Sequence, residues 1–190
     1  MAKDDTRLGQ FTAAGLRHIV RRSEAAFPAD DLTPLQWSAL QFFGIANSMS
    51  RTVSGFASYN ATSRGTASQV IKQLEARGYV RRLRFPDDGR SAEIRLTTAG
   101  ERMLDQVRSG GLADAITQLA EADQQVLARV VRHLLDQVAD SPDGVSVGTC
   151  RDCRCLEQSL HSGPLCRRMD RPLRQDELDA VCVIHEPSVR

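Results

Sequence analysis

Residues 63–84 read SRGTASQVIKQLEARGYVRRLR. In the first half, apolar residues recur three and four positions apart, which predicts a helix from about Ser63 to Arg77. Its buried face is expected to consist of Ala67, Val70, Ile71 and Leu74. Gly78 is suited to the left-handed residue that often follows a helix, and residues 79–84 then predict a strand.

The flanking residues predict partners for both elements. A shorter helix is expected at about 53–58, followed by a turn at 59–61 and an N-cap at Thr62. Two helices joined by a tight turn, the second with small polar and basic residues near its start, have helix-turn-helix geometry. Residues 92–96 predict a second strand and 85–91 a polar hairpin tip, so the two strands should form a wing.

The remaining helical segments predict a core helix and a subunit interface. Thr33 and Pro34 start a helix whose aromatic residues, Trp37 among them, should form the core. Residues 7–26 and 114–139 carry apolar stripes that would suit a dimer interface. We therefore predict a mainly α chain with a small β-hairpin wing. Its parts are an N-terminal dimerisation helix (1–32), a winged helix-turn-helix domain (33–100), C-terminal dimerisation helices (101–139) and a cysteine-rich metal-binding extension (140–190).

Three short motifs follow one another along this region. They are LEARGYV at 74–80, PDDGR at 86–90 and LTTAG at 96–100. Together they resemble the MarR family of transcription regulators, and the resemblance extends over about residues 7–139. It implies a winged-helix homodimer that binds pseudo-palindromic double-stranded DNA, with the second helix of the motif in the major groove. We expect a repressor.

The resemblance also assigns candidate DNA contacts. On the recognition helix these are Ser63, Arg64, Thr66, Ser68 and Gln69. The family often has arginine where Gln69 stands. At the wing, Arg90 matches the arginine that enters the minor groove, and Asp88 matches the aspartate that holds it. The physical chemistry agrees, because a narrow minor groove attracts a guanidinium and Arg64 can reach guanine edges or phosphates.

The charge distribution is compatible with a basic DNA-facing surface. The chain of 190 residues has a formal net charge of +1, but residues 51–100 hold nine Arg or Lys against four Asp or Glu. Such an island is typical of a DNA-binding module, although an ordinary solvated surface can have the same composition. Arg81, Arg82 and Arg84 would contact phosphates, which add affinity rather than sequence selectivity.

All five cysteines lie beyond the usual end of the family's domain. Cys150, Cys153 and Cys155 form a C-x2-C-x-C pattern, and Cys166 and Cys182 follow. Four thiolates can bind one soft metal centre. We expect Cys150, Cys153, Cys166 and Cys182 to be the ligands, with Cys155 a spare or a substitute.

Two metal centres compete for this pattern. An iron–sulfur cluster of unknown nuclearity would sense redox or iron status, whereas zinc would be structural. We favour the cluster, and thiols that form a disulfide on oxidation are a third interpretation. His161 and His185 could be ligands but are expected on the surface. Arginines beside the cysteines would offset an anionic cluster or extend the DNA-facing surface.

Other classes of protein are disfavoured. The charged start lacks the apolar segment of a secretory signal, and no stretch has the length of a membrane span, so we expect a cytoplasmic protein. The four histidines are dispersed and no glycine-rich phosphate loop occurs, so we expect no enzyme. A ferredoxin-like electron carrier would leave the winged-helix motifs unused. The alternative regulator responds to a small aromatic ligand or to thiol oxidation, with a structural zinc in the tail.

Overall fold

The computed structural model describes residues 2–25, 32–85, 88–108, 111–139, 145–159 and 163–188. A helical region is followed by a β-rich tail. The helices are α1 (Ala2–Ala25), α2 (Pro34–Ile45), α3 (Val53–Tyr59), α4 (Arg64–Ala76), α5 (Thr98–Arg108), α6 (Leu112–Thr117) and α7 (Glu121–Ala139). The strands are β1 (Val80–Phe85), β2 (Asp88–Leu96), β3 (Gly148–Thr149), β4 (Leu156–Ser159), β5 (Gly163–Cys166), β6 (Arg171–Pro172) and β7 (Val181–Cys182).

Helix α2 is the centre of the main core. Thr33 caps it as predicted, because its hydroxyl accepts a first-turn backbone N–H at 3.3 Å. Trp37 is 1% exposed, in agreement with a role in the core. Phe42 and Phe43 pack against Phe56 of α3, with ring centroids 5.9 and 5.7 Å apart. This aromatic contact joins α2 to the helix-turn-helix.

Helices α3 and α4 form the predicted helix-turn-helix, and the four apolar residues expected on the inner face of α4 are buried. The chain turns at Ala61, which has a φ of 48°. The N-cap of α4 is Ser63, so the prediction of Thr62 was wrong. Thr62 still belongs to the turn, since its N–H donates to the carbonyl of Ala57 at 3.0 Å. Ser63 Oγ then accepts the N–H of Thr66 at 3.1 Å.

Strands β1 and β2 form the wing as an antiparallel hairpin, with Val80 opposite Leu96. The predicted tip of residues 85–91 was too long. Strand β2 begins at Asp88, which pairs with Phe85. Pairing satisfies backbone groups that a loop would leave to solvent, and this favours the longer ladder.

Helix α5 begins directly against the base of the wing. Thr97 Oγ1 donates to the carbonyl of Gly78 at 2.6 Å and accepts the N–H of Gly100 at 3.2 Å. A Cβ at Gly100 would lie 2.2 Å from the carbonyl oxygen of Tyr79. The LTTAG motif therefore has a packing requirement, because only glycine fits this approach.

The predicted long helix from Asp114 to Ala139 is two helices, α6 and α7, separated at residues 118–120. The side-chain amide of Gln124 donates to the carbonyls of Thr117 and Leu119, at 3.2 and 2.9 Å. Carbonyl groups at and just after the end of α6 thus receive hydrogen bonds from a side chain, and the helix does not have to continue to provide them. The interruption was not visible in the apolar periodicity.

Helices α1 and α7 expose apolar stripes in the single chain. Phe11 and Leu8 of α1 are 77% and 67% exposed, and Val138 of α7 is 68% exposed. No residue of α7 is buried. Such stripes need a second surface to cover them. None of the helices in the described ranges is long and apolar enough to cross a bilayer.

The tail (residues 145–159 and 163–188) packs onto the helix-turn-helix region. Strands β4, β5 and β6 form an antiparallel sheet, and β3 pairs with β7. Val183 belongs to the main core, so the two parts share packing. A second apolar cluster lies between them and consists of Met49, Cys150, Cys166, Leu173 and Leu178. Residues 140–144, the start of the predicted extension, lie outside the described residues.

Truncating Leu178 tests whether this second cluster stabilises the protein. Leu178 is 1% exposed, so Leu178→Ala should lower the free energy of unfolding by about 2–5 kcal/mol. Met169, on the tail surface and 43% exposed, provides the control, and Met169→Ala should change stability by less than about 0.5 kcal/mol. Urea unfolding of the full chain measures both. Equal urea midpoints for Leu178→Ala and Met169→Ala would mean that the tail is not packed as described.

Candidate nucleic-acid interface and cysteine cluster

The start of α4 presents a polar and basic surface to solvent. Arg64, Thr66 and Gln69 are exposed and Ser68 is half-buried. Within the described residues, no acidic side chain lies at ion-pair distance from Arg64. The hydroxyls of Ser63 and Thr66 bond to each other at 2.9 Å. These two side chains therefore organise the first turn, and Arg64 and Gln69 remain open to an external partner.

The wing adds fewer unpaired cations than the sequence count indicates. Arg82 Nε donates to Glu75 at 3.0 Å, and Arg95 Nε donates to Glu93 at 2.9 Å. The expected phosphate role of Arg82 therefore competes with an internal ion pair. Asp88 and Arg90 lie in β2, and their side chains are outside the described residues. The predicted contact between them stays a prediction.

Two of the predicted metal ligands, Cys150 and Cys182, are brought close together by the pairing of β3 with β7, because Gly148 lies opposite Cys182 and Cys150 directly follows β3. Both are buried, at 4% and 3% exposure. Their pKa values move in opposite directions. The neighbouring Cys150 thiol lowers the pKa of the Cys182 thiol to about 6, and the Cys182 thiol, together with burial, raises the pKa of Cys150.

Two polar side chains from the loop before α3 reach this pair of cysteines. The amide of Asn47 donates to Cys150 Sγ at 3.7 Å. Beside Cys182, the N–H of Val183 donates to Ser50 Oγ at 3.1 Å. Polar donors aimed at sulfur favour the thiolate form.

The other cysteines lie close by in the tail. Cys166 packs with Cys150 in the second apolar cluster. Cys153 Sγ accepts the N–H of Glu186 at 3.5 Å. Burial, followed by the charge of Cys153, raises the pKa of Cys155 to about 11. The structure thus places Cys150 near Cys182 and Cys166, with Cys153 and Cys155 in the segment that follows.

The predicted four-ligand site is not assembled in this arrangement. Within the ranges that the structure describes, no three His, Cys, Asp or Glu side chains converge on one metal position. His185 is 7% exposed, so its predicted place on the surface was wrong. Its ring nitrogens contact Ser146 Oγ at 3.0 Å and the carbonyl of Asp152 at 3.3 Å, which makes it a structural residue. His161 lies outside the described residues.

The arginines beside the cysteines form ion pairs within the tail. Arg167 donates to Glu157 at 2.6 Å and Arg168 to Glu186 at 2.7 Å. Ion pairs also join Arg151 to Asp179, Arg154 to Glu186 and Arg174 to Asp176. These charges are therefore balanced locally, which weakens the expectation that they offset a cluster or extend the DNA-facing surface.

The sequence did not reveal that the tail contacts the loop before α3. Four hydrogen bonds join this loop (residues 46–52, the α2–α3 loop) to the tail. Asn47 N donates to the Val181 carbonyl at 2.9 Å, and Ser48 N donates to Glu177 at 2.9 Å. Val183 N donates to Ser50 Oγ at 3.1 Å, and the fourth bond is Asn47 to Cys150. Polar residues in a loop predict solvent exposure, so no local pattern marked Asn47 and Ser50.

A cleft of about 500 Å³ opens between α2, the base of the wing and α5. Its lining combines apolar residues with cations and carboxylates. The lining residues are Phe43, Gly44, Arg51, Arg81, Arg95, Leu96, Glu101, Leu104 and Asp105. Burial lowers the pKa of Arg51 in spite of the opposing charge of Glu93. Trp37 does not line this cleft.

Comparison with solved structures finds the same fold. A MarR family protein from Bacillus stearothermophilus superposes with a TM-score of 0.54 at 22% identity, covering 72% of this chain and 96% of its own. For a MarR/EmrR family transcriptional regulator from Acinetobacter sp. ADP1, the TM-score is 0.52 at 17% identity, and the match covers 71% of this chain and 96% of the other. For a MarR transcriptional regulator from Methanosarcina mazei Go1, the TM-score is 0.52 at 16% identity, and the match covers 67% of this chain and 96% of the other.

More than a quarter of this chain has no counterpart in the Bacillus stearothermophilus structure. A comparison with curated proteins finds no match. The MarR family model matches residues 30–91, which include α2, the helix-turn-helix and the start of β2. Residues 30–91 therefore match the MarR family model, and the chain shares its winged helix-turn-helix fold with these MarR structures.

Proposed function

We propose that this regulator is a homodimeric repressor that binds a pseudo-palindromic operator and is controlled through its cysteine tail. The observation that carries the proposal is the docking of the tail on the loop that precedes the helix-turn-helix. A chemical change at Cys150 would act directly on Asn47 of that loop. A change at Cys182 would act beside Val183, whose N–H donates to Ser50 of the same loop. Regulators commonly couple a sensing site to a two-state element in this way.

The recognition surface for DNA would be α4. Arg64 stands at its first residue, where a side chain can reach a guanine edge or a phosphate from the major groove. Gln69, in the second turn, is also exposed and can read adenine. The wing, through Arg90 held by Asp88, would add a minor-groove contact.

A dimer would cover the exposed apolar stripes of α1 and α7. Leu8 and Phe11 on α1, and Val130, Leu134 and Val138 on α7, are all more than two-fifths exposed in the single chain. A second copy presents the same stripes, so the interface can be self-complementary. Two copies would place two recognition helices about one DNA turn apart, ~34 Å.

The tail would bind an iron–sulfur cluster through Cys150, Cys153, Cys166 and Cys182. Two of these sulfurs, Cys150 and Cys153, already accept hydrogen bonds from amide groups. Such bonds support ligating thiolates and tune a cluster's potential. When bound, a cluster would supply redox-dependent charge. The chain's own part is to hold the thiolates, and they would have to draw together from their present places.

Thiol oxidation is the second candidate, because the pairing of β3 with β7 brings Cys150 and Cys182 close together. A hydroperoxide would accept two electrons and two protons from the two thiols and leave as alcohol and water, while a sulfur–sulfur bond forms. Zinc in the tail would then be structural. A small aromatic anion could also act at the arginine-lined cleft.

Replacing Arg64 tests the DNA-binding surface. Arg64→Ala should weaken binding to an operator selected from random DNA by about 5- to 150-fold, or ~1–3 kcal/mol, because a bidentate base contact or a phosphate contact is lost. Arg102→Ala removes a charge from the exposed surface of α5 and should leave affinity nearly unchanged. Titrations at several salt concentrations measure both. Comparable losses in the two variants would reject α4 as the recognition helix.

A charge in the α7 stripe tests the dimer. Val130→Asp should shift the protein towards monomer, because a buried unpaired carboxylate is costly at an apolar interface. Met169 has an exposure similar to that of Val130, 43% against 46%, but it lies in the tail. Met169→Asp should therefore leave the mass unchanged in sedimentation experiments. An unaltered dimer in Val130→Asp would place the interface elsewhere.

The metal proposal is tested on protein purified without oxygen. We expect brown protein with matched iron and sulfide per chain, lost in Cys166→Ser and retained in Cys155→Ser, the predicted spare. The measurements are the visible spectrum and assays of iron, sulfide and zinc, followed by operator binding before and after oxidation. Colourless protein with one zinc per chain would replace the cluster with the structural zinc.

A further inference from the structure

We propose that Asn47 and Ser50 are positioning residues that transmit the state of the Cys150–Cys182 pair to the helix-turn-helix. This inference rests on the proposed function, because it names the route by which the tail would control DNA binding. It concerns the α2–α3 loop, which lies between the tail and α3.

On the tail side, both residues lie beside the cysteine pair. Asn47 is 0% exposed and Ser50 1% exposed, so neither can exchange its partners for water. The amide of Asn47 donates to Cys150 Sγ at 3.7 Å. The hydroxyl of Ser50 accepts the N–H of Val183, the residue next to Cys182, at 3.1 Å. A change at the Cys150 sulfur, or a shift of the backbone that carries Cys182, would therefore alter the hydrogen bonds of this loop.

On the other side, the loop shapes the start of α3. Asn47 Oδ1 accepts the N–H of Ser50 at 2.9 Å, which ties the two positioning residues together. The carbonyl of Ser50 accepts the N–H of Thr52 at 2.7 Å, and Thr52 caps α3 through Gly55 N at 2.9 Å. A Cβ at Gly55 would lie 2.0 Å from the Ser50 carbonyl oxygen. The backbone of Ser50 therefore cannot move without moving α3.

The same loop reaches the wing. The carbonyl of Arg51 accepts the N–H of Ile94 in β2 at 2.6 Å, and Arg51 Nη1 lies 3.7 Å from Glu93. Both arms of the DNA-binding lobe, the helix-turn-helix and the wing, are thus anchored to residues adjacent to Ser50. A displacement at the cysteine pair that moved Ser50 would reach both arms, because the residues that anchor them, Arg51 and Thr52, directly follow Ser50 in the chain.

A double-mutant cycle on the full-length protein tests this route. Cys182→Ser and Ser50→Ala are made singly and together, and amide hydrogen exchange is followed in residues 53–76. If Ser50 transmits the state of Cys182, Cys182→Ser should change exchange in α3, and Ser50→Ala should abolish that response. For residues in contact we expect a departure from additivity of between about 2-fold and 100-fold in exchange rate.

Ser38→Ala is the matched control, because Ser38 Oγ donates to Asn60 at 2.7 Å in the same lobe without touching the tail. The effects of Ser38→Ala and Cys182→Ser on amide exchange in α3 should be additive. If Ser50→Ala does not fold, a second cycle pairs Cys150→Ser with Asn47→Asp. The latter retains the oxygen that accepts from Ser50 and lacks the amide N–H that serves Cys150.

The outcomes separate this inference from the proposed function. Additive cycles, or no response of α3 to Cys182→Ser, would overturn the role of Asn47 and Ser50 whatever the DNA affinity. A non-additive cycle supports the route. If operator affinity is then the same for wild type and Cys182→Ser, the route stands and the proposed control of DNA binding fails.

Discussion

The burial of two polar side chains in one loop is the constraint on which the rest of this molecule depends. Asn47 and Ser50 are almost inaccessible to water, and a buried polar group is costly unless it is hydrogen-bonded. Their partners come from the tail and from each other. The lobe and the tail must therefore keep their relative positions if these groups are to stay satisfied.

Apolar packing strengthens this attachment, and surface charge contributes little to it. Val183 enters the core built around α2, and Met49 enters the cluster of Leu173 and Leu178. The arginine–carboxylate pairs of the tail are largely exposed, and exposed pairs contribute about 0–1 kcal/mol each. The tail is thus an integral layer of the helix-turn-helix lobe, with Cys150 and Cys166 in the packed cluster on its inner side.

Local sequence patterns predicted the elements whose cause is itself local. Apolar spacing identified the inner face of α4, and the Thr33–Pro34 pair identified the start of α2. Errors arose where a side chain from elsewhere decided the outcome. Gln124 divides the predicted long helix, and partners in the tail bury His185. Neither effect changes the apolar periodicity from which the predictions were made.

By itself the sequence determined the order of the helices, the hairpin wing and the likeness to a DNA-binding family, because periodicity, caps and turn residues act over a few positions. Only the tertiary structure decided that Cys150 and Cys182 come together beside Asn47 and Ser50. The hydrogen bonds Asn47–Cys150 and Ser50–Val183 join residues 103 and 133 positions apart. Their formation depends on which buried polar groups find partners once the chain has packed, and no local spacing encodes that choice.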